Sequence, residues 1–501
     1  MPSESQPRHS YSWSSKRALT RIPAPIQAFI AGGVLALVFI PNPLSFLAPL
    51  PLAVLYSLIS RSATPGQAFR LGWLGGAAFF AVHLFWLPVS FNALFGPVVV
   101  LPMLLLPPVL ATFWGLTAAA SRLTGRYTLV ALPFAWVVME YLRNLSVFGF
   151  TWGTLGYALL PTPLIQLADL GGIALASLLV TGAAALAALR ENRWGPALAV
   201  TVLFSIGTGY GLTRPAPAAP DQDVLLVQGS VNPLDKAEGR SVDELTLYTE
   251  LTQSALAQGR ADLVVWPEGA SPLPVADPRV AASLESFKTA AIIGAPYYTS
   301  DFSVYQNSAY GFAGTVTSDY AKTKLVPFGE TFPLRQSLRF AYDPIFTAIG
   351  LSGLLSTLPG TNYNPLTLGD LRASTYICYE STFPGVARAM VRDGANLLVN
   401  ISNDAWFGRT VGAEQHFQMG RVRAIETRRY LARAGNDGIT AVVDPLGRVT
   451  ERFPRGERAA FRAQVGLSEG ITPYVRWGEW VSLLSALSLA TLLLLALKRE
   501  P

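Results

Sequence analysis

Long apolar stretches fall in two parts of the chain, separated by a region with a different pattern. An α-helix needs about 20 apolar residues to cross the hydrocarbon core of a bilayer. Stretches of about that length lie near 24–40, 44–60, 68–90, 97–120, 127–145, 163–189, 194–213 and 478–497. They predict a polytopic α-helical membrane bundle of about eight transmembrane helices, seven of them within 24–213 and the last at 478–497. Prolines between 97 and 108 are expected to kink the fourth helix or to make part of it re-entrant.

The pattern changes after 214–220, a proline- and alanine-rich tract that we expect to be an extended linker. Short apolar runs, typical of buried strands, then alternate with helical stretches. The runs are 224–228, 263–266, 291–294, 374–377, 396–401 and 440–443, and the helical stretches are 240–258, 277–288, 383–393 and 413–431. This alternation predicts an α/β sandwich over 221–470, which is long enough to bury its own core.

Composition and charge agree with a membrane protein that carries one soluble domain. The chain of 501 residues is 51% hydrophobic and 14% charged, against about 25% charged in ordinary soluble domains. The net charge is +6, but the basic residues outside 221–470 cluster in short loops, which indicates membrane topology and not nucleic-acid binding. On one side of the predicted spans these residues are Arg8, Lys16, Arg17, Arg21, Arg61, Arg70, Arg122, Arg126, Arg190, Arg193, Lys498 and Arg499, whereas the intervening loops carry chiefly Arg143 and Arg214. The positive-inside rule places the tail 1–23 and the C-terminus in the cytoplasm and the domain on the opposite side.

Ionisable residues inside the predicted helices are costly unless they are paired or functional. Glu140, Arg143 and Asp169 are such residues, and both a structural ion pair and a contact with lipid head groups remain open for them. His83 is expected to hydrogen-bond between helices. The three histidines lie far apart and no glycine-rich phosphate loop occurs, so the sequence predicts no metal and no organic cofactor.

Cys378 is the only cysteine of the chain. It ends the apolar run 374–377 and precedes polar residues and the helical stretch 383–393, a pattern typical of a nucleophile elbow. The alternative is a buried small hydrophobe, because free cysteine is among the most buried residue types.

Glu268 and Lys322 also stand near the ends of strand-like runs. Each alone would be interpreted as a solvated surface charge, but three such residues in succession favour an active site. We expect Glu268 to act as general base for the thiol, and Lys322 with the backbone N–H of Tyr379 to stabilise an oxyanion. Glu330 is expected to orient Lys322, and Glu380 to position the elbow, against a purely structural role for either.

The segments VVWPEGA, YAKTKLVPFGE and ICYES resemble the glutamate, lysine and cysteine motifs of the nitrilase superfamily. Together with the apolar stretches, SNDAWFG at 402–408 and RVRAIETRRYLARAGNDG at 421–438, they make the whole chain similar to the bacterial apolipoprotein N-acyltransferase family. The resemblance implies an αββα sandwich in the inner membrane. It also implies acyl transfer from a phospholipid, through a cysteine thioester, to the N-terminal amine of a diacylglyceryl lipoprotein. The partners would be these two substrates and the bilayer.

Two segments are candidates for lipid contact. The first is the SNDAWFG loop with Asn403, Trp406 and Phe407, for which a satisfied turn is the alternative. The second is the uncharged stretch 344–368, where Phe346, Leu351 and Leu354 are expected to form a mobile apolar arm at the bilayer surface. A local helix packed on its own domain is the alternative for that stretch.

Two rival functions remain at this level. A membrane-anchored hydrolase of the same superfamily would resolve the thioester with water. A transporter with a degenerate domain would show paired inverted repeats, and no internal repeat is visible in the sequence.

Overall fold

Fifteen α-helices are found in the part of the chain that the computed structural model describes, residues 22–498 without 146, 190–193, 233–242, 300–304, 333, 336 and 349–356. Eight precede the α/β domain: α1 Ala24–Val38, α2 Pro49–Ser60, α3 Pro65–His83, α4 Trp86–Phe95, α5 Val100–Arg122, α6 Thr128–Asn144, α7 Ala168–Ala188 and α8 Trp194–Leu212. Seven follow: α9 Glu244–Leu256, α10 Pro278–Phe287, α11 Arg339–Ala348, α12 Pro384–Arg392, α13 Gly412–Thr427, α14 Pro473–Trp477 and α15 Trp480–Leu497.

Three helical segments of the described chain are long and apolar enough to cross a membrane: Pro97–Arg122, Pro163–Ala188 and Trp480–Leu497. α3 and α4 taken together are also long and apolar enough to cross a membrane, as one span bent by 45°. Shorter apolar helices in this part of the chain are Ala24–Val38, Ser45–Ser60 and Ala197–Leu212. Apolar helices such as the three long ones fit a membrane protein, and the count of eight spans stays a prediction.

The twelve strands found in the described residues form two sheets of six. They are β1 Gln222–Gln228, β2 Leu263–Val265, β3 Ala290–Tyr298, β4 Tyr305–Phe312, β5 Val316–Ala321, β6 Leu366–Leu368, β7 Leu371–Ile377, β8 Leu397–Ser402, β9 Leu431–Gly435, β10 Ala441–Val443, β11 Val449–Arg452 and β12 Ala459–Val465. The first sheet has the order β12-β1-β2-β3-β4-β5 and the second β11-β10-β9-β8-β7-β6. β1 to β3 are parallel in the first sheet and β7 to β9 in the second.

The alternation of side chains along β1 shows how the layers are arranged. Val224 and Leu226 pack in the core shared with the second sheet, whereas Leu225 and Val227 pack against α9 and α10 on the outer face. α12 and α13 pack on the second sheet. The domain is therefore an αββα sandwich, as predicted.

All six predicted strands are present, as β1, β2, β3, β7, β8 and β10. The predicted helix 413–431 is wrong at its end, because α13 stops at Thr427 and Arg428 adopts a left-handed conformation with φ of 55°. β9 begins soon afterwards, so Leu431 lies in a strand. A strand starting this close to the end of a helix has no periodic signal of its own.

Gln415, on the first turn of α13, joins the helical part to the α/β domain. Its Oε1 accepts hydrogen bonds from the indole N–H groups of Trp86 and Trp152 at 2.9 and 3.1 Å. Its Nε2 donates to the carbonyl oxygen of His83 at 3.1 Å and lies 3.3 Å from His83 Nδ1. The hydrogen bond expected of His83 is thus made to the domain and not between two membrane helices.

The other ionisable residues of the predicted spans have protein partners. Glu140 accepts from Ser177 Oγ at 2.7 Å, Arg143 Nη2 donates to Thr154 Oγ1 at 3.2 Å, and Asp169 accepts from Arg428 Nη2 at 2.6 Å. Pairing within the protein accounts for these groups, and Asp169 adds a second tie between helices and domain.

Gly294 of β3 offers a test of how closely the sheet supports the strand end that carries Glu268. A Cβ atom at this position would lie 2.4 Å from the carbonyl oxygen of Pro267 and 2.8 Å from Glu268 Cα. We expect Gly294→Ala to destabilise the fold by about 1–3 kcal/mol, because backbone has to move to admit the methyl group. Thermal unfolding of purified protein measures this. Gly385→Ala is the matched control, since a Cβ there meets open space, and equal unfolding temperatures for the two variants would contradict the prediction.

Candidate active site

The fold brings three predicted residues together from the ends of three strands. Glu268 stands shortly after β2, Lys322 follows β5 directly and Cys378 follows β7 directly. β2 and β5 belong to the first sheet and β7 to the second, so the site lies where the two sheets meet. The charges of Glu268 and Lys322 both influence the pKa of the Cys378 thiol, the first raising it and the second lowering it.

Lys322 is buried between two carboxylates. Its side chain is 1% exposed, and Nζ lies 3.2 Å from Glu268 Oε1 and 2.7 Å from Glu330 Oε1. Burial by itself lowers the pKa of an ammonium group, but the two carboxylates outweigh burial and hold the pKa of Lys322 well above its usual value. The site therefore keeps a fixed positive charge, with Glu330 in the orienting position expected from the sequence.

Asn307, on β4, is a site residue that sequence reasoning missed. Its Nδ2 donates to Glu268 Oε1 at 2.7 Å and to Glu330 Oε1 at 3.2 Å, and its carbonyl oxygen accepts from the backbone N–H of Lys322 at 2.8 Å. One side chain thus holds both carboxylates on the same lysine. An asparagine in a polar stretch has no signal that separates it from a surface residue, and β4 was not among the predicted strands.

The second oxygen of Glu268 is held from the other sheet. Oε2 accepts from the backbone N–H of Asn403 at 2.9 Å. The side-chain oxygen of Asn403 in turn accepts from the Ala405 N–H and from Asn436 Nδ2. Asn403 therefore contacts the site through its backbone, while its side chain makes the turn that was the alternative interpretation.

Cys378 sits on a sharp elbow. Its φ is 49°. This value lies in the left-handed region that residues other than glycine rarely adopt. The residue is buried, with 7% of its surface exposed. Burial raises the pKa of the thiol well above its usual value, Glu268 raises it further, and Lys322 opposes both. The resting group is thus a neutral thiol next to a carboxylate that can accept its proton during attack.

Glu380 ties the elbow to the segment after Lys322. Its Oε2 accepts from the backbone N–H of Ile377 at 2.8 Å. Its Oε1 accepts from Tyr320 Oη at 2.7 Å, from both the N–H and the hydroxyl of Thr323 at 2.7 Å, and from the Lys324 N–H at 3.0 Å. A buried carboxylate with this many donors fixes the distance between the two strand ends, which suits the positioning role expected for it.

Tyr379 connects the elbow to the helical part of the chain. Its hydroxyl donates to the carbonyl oxygen of Gly149 at 2.6 Å, and its ring stacks on Trp152 with 5.8 Å between ring centroids. The sequence marked Tyr379 only for its backbone N–H. Its side chain shows that residues before the domain help to build the site.

The predicted lipid-contact residues are placed differently from one another. Trp406 is 44% exposed, whereas Phe407 packs against Trp86 with ring centroids 5.2 Å apart. Phe346, on α11, is buried against Phe332 at 4.7 Å, which matches the alternative of a helix packed on its own domain. Leu351 and Leu354 lie outside the described residues.

Among the described residues, no group of three or more His, Cys, Asp and Glu side chains could hold a metal ion. The site contains the thiol of Cys378, the carboxylates of Glu268 and Glu330 and the ammonium group of Lys322. In this arrangement they suit a nucleophile, a general base and a stabiliser of negative charge.

The α/β domain matches the model of a known enzyme family. The family model "Carbon-nitrogen hydrolase" matches residues 241–469, so the domain is that of an enzyme of the nitrilase superfamily. An amidase from Nesterenkonia sp. is a similar solved structure, at 19% identity over 53% of this chain and 96% of its own, with a TM-score of 0.37.

The residues before the domain identify the family within this superfamily. The model "Apolipoprotein N-acyltransferase N-terminal domain" matches residues 31–186. Apolipoprotein N-acyltransferase from Geobacter metallireducens is 34% identical over 95% of each chain, and that from Azotobacter vinelandii is 36% identical over 91% of this chain and 92% of its own. The chain belongs to the apolipoprotein N-acyltransferase family, which confirms the resemblance seen in the sequence.

The raised pKa of Cys378 makes a prediction about its reactivity. Only the thiolate reacts with iodoacetamide, so the alkylation rate should rise close to tenfold per pH unit up to about pH 9.5 without levelling off. Intact mass follows the reaction without ambiguity, because no other cysteine is present. Urea-unfolded protein is the control and should level off near the ordinary thiol pKa of about 8.5. A plateau of the folded protein below about pH 8 would show that the thiol is activated at rest.

Proposed function

We propose that this chain is a phospholipid:apolipoprotein N-acyltransferase that works through the triad Glu268, Lys322 and Cys378. The observation that carries the triad is the buried Lys322 ammonium, held by Glu268 beside the only cysteine of the chain. A buried charge of this kind is costly to maintain, and it serves a reaction in which negative charge develops near the nucleophile.

The first half of the reaction forms a thioester. As Cys378 Sγ attacks the ester carbonyl of a phospholipid, its proton passes to Glu268. Lys322 and the Tyr379 N–H stabilise the oxyanion of the tetrahedral intermediate. The C–O bond then breaks, Glu268 returns the proton to the departing alkoxide, and a lysophospholipid leaves.

The second half transfers the acyl group. The N-terminal amine of a diacylglyceryl lipoprotein attacks the thioester carbonyl and gives a proton to Glu268. The C–S bond breaks, and the proton returns to Cys378 as the amide product leaves. The names of the relatives favour an amine over water as acceptor, so the hydrolase alternative has no observation in its favour.

The surface near the site suits a lipid donor. Phe328, Leu334 and Phe340, in and after the segment that carries Glu330, are large apolar side chains exposed by 48%, 63% and 78%. Trp406 adds a half-exposed ring from the SNDAWFG loop. Exposed apolar groups of this kind mark a membrane or ligand contact, and we propose that they receive the acyl chains of the donor.

We further propose the membrane arrangement expected from the basic residues. About eight spans would place both termini in the cytoplasm and the domain outside the inner membrane, where lipoprotein substrates are located. The three long apolar helices and the bent pair α3 and α4 support membrane insertion, and the distribution of arginine and lysine supports the orientation.

The decisive experiment is the intact mass of the protein after incubation with phospholipid. We expect an acyl adduct on the protein. This adduct should disappear when a lipopeptide with a free diacylglyceryl-cysteine amine is added, and an equal amount of N-acylated lipopeptide should form. An adduct released at the same rate without lipopeptide would indicate the hydrolase instead.

Replacing the nucleophile should separate chemistry from folding. Cys378→Ala is expected to abolish adduct and product while the unfolding temperature changes little, because the substitution removes only one sulfur atom from the core. Cys378→Ser should be nearly as inactive, since a hydroxyl is a poorer nucleophile beside the same base. Both are measured by lipopeptide acylation, and near-normal turnover of either variant would end the covalent mechanism.

The orientation can be tested with single cysteines in a Cys378→Ala background. Leu123 and Ala216 are both exposed, the first in a loop predicted to be cytoplasmic and the second in the linker before the domain. In intact cells, a membrane-impermeant thiol reagent should label Ala216→Cys and leave Leu123→Cys unlabelled until the cells are lysed. The reverse pattern would place the active site in the cytoplasm.

A further inference from the structure

A fully buried histidine lies directly beneath the elbow, and the mechanism above does not use it. His416, near the start of α13, is 0% exposed. Its Nε2 lies 3.0 Å from the carbonyl oxygen of Cys378 and 2.9 Å from Ser381 Oγ, and its Nδ1 lies 3.1 Å from Asp404 Oδ1. In the sequence, His416 is only one of three widely separated histidines, and Asp404 has no assigned role.

The partners of the ring decide where its hydrogen lies. A backbone carbonyl oxygen can only accept a hydrogen bond, so the nitrogen facing Cys378 must carry a hydrogen. The other nitrogen, Nδ1, is held by the ion pair of Asp404 and Arg433: it lies 3.1 Å from Asp404 Oδ1 and 3.2 Å from Arg433 Nη2. Arg433 Nη2 in turn lies 2.9 and 2.8 Å from the two oxygens of Asp404. Arg433 and the bond to His416 keep the pKa of Asp404 far below its usual value despite burial, so the anchor of the ring is a permanent carboxylate.

The hydrogen bond to Cys378 has a geometric consequence for the next residue. The carbonyl of Cys378 and the N–H of Tyr379 belong to one planar trans peptide unit and point in opposite directions. Fixing the carbonyl toward His416 therefore fixes the N–H toward the other side of that unit. The φ of Cys378 is 49°. A left-handed backbone is unfavourable for a residue with a side chain, so the elbow needs such an external contact to hold this orientation.

We propose that His416 is a positioning residue for the oxyanion hole: its Nε2–H holds the carbonyl of Cys378 and thereby aims the N–H of Tyr379 at the oxyanion. The ion pair of Asp404 and Arg433, which contacts the other ring nitrogen, orients the ring. The hydrogen bond to the carbonyl also polarises the peptide unit, which makes its N–H a stronger donor. The inference rests on the proposed thioester mechanism.

His416 could aim the Tyr379 N–H, or it could only support the fold of the elbow. Two reactions of the Cys378 thiol distinguish these two roles. Acylation of Cys378 by a soluble short-chain nitrophenyl ester passes through an oxyanion. Alkylation by iodoacetamide is a direct displacement without one. Loss of the aimed N–H should slow the first reaction alone, whereas a collapsed elbow should slow both. Both rates are measured on the full chain by intact mass.

Two amide variants form a matched pair. The side-chain nitrogen of Gln can take the place of His416 Nε2, while that of Asn reaches only the place of Nδ1. His416→Asn is expected to slow acylation by about 100-fold, the scale of losing one oxyanion donor. Its alkylation should stay within about threefold of the wild type. His416→Gln should retain acylation within about tenfold. Ser381→Ala, which removes the other partner of Nε2, should leave both rates nearly unchanged.

The alternative outcomes are distinct. Parallel loss of both reactions in His416→Asn, or normal acylation by it, would overturn the role proposed for His416. If His416→Asn does not fold, Asp404→Asn decides, since the acylation-to-alkylation ratio should fall at least about tenfold and an unchanged ratio would overturn the proposal. A wild-type chain that is alkylated but never acylated at Cys378 would refute the thioester mechanism itself.

Discussion

The arrangement of the candidate active site depends on one constraint, which is that the buried ammonium group of Lys322 has to stay charged. A lysine that is 1% exposed stays charged only if carboxylates are brought close enough to offset its lost hydration. Glu268 comes from the end of β2 and Glu330 from the segment after β5, and Asn307 holds both. The ends of separate strands therefore have to converge on Nζ of Lys322. This is possible because β2, β3, β4 and β5 are neighbours in the first sheet.

A second carboxylate network joins this charged centre to the nucleophile. Glu380 binds the N–H of Ile377 on one side and the Thr323 and Lys324 N–H groups on the other, so the strand ends of the two sheets are held in register across the core. Cys378 then projects next to Glu268 and Lys322 while its carbonyl faces His416. The elbow thus lies between two buried polar networks, one around Lys322 and one around His416.

The helical part of the chain takes part in this arrangement. Tyr379 is held by Gly149 and Trp152, and Gln415 binds Trp86 and Trp152 next to His416 in sequence. The α/β domain alone would leave the Gln415 side chain and the Tyr379 hydroxyl without these partners. The elbow of this nitrilase-type domain is thus braced by residues that precede the domain.

Local patterns along the chain were enough to locate the strand ends and the residues placed on them. Apolar runs ending near Glu268, Lys322 and Cys378 are local signals, and Glu330 and Glu380 could be assigned because they follow those residues closely. Asn307, Asp404 and His416 could not, because their roles depend on contacts across 12 to 39 residues of sequence that leave no periodic trace. It took the folded chain to show that Phe407 and Phe346 are packed and that His83 bonds to the domain. The local pattern of apolar and polar residues predicts how a segment folds and which face it buries. The partner of a buried polar group, in contrast, is determined only when separate segments pack together.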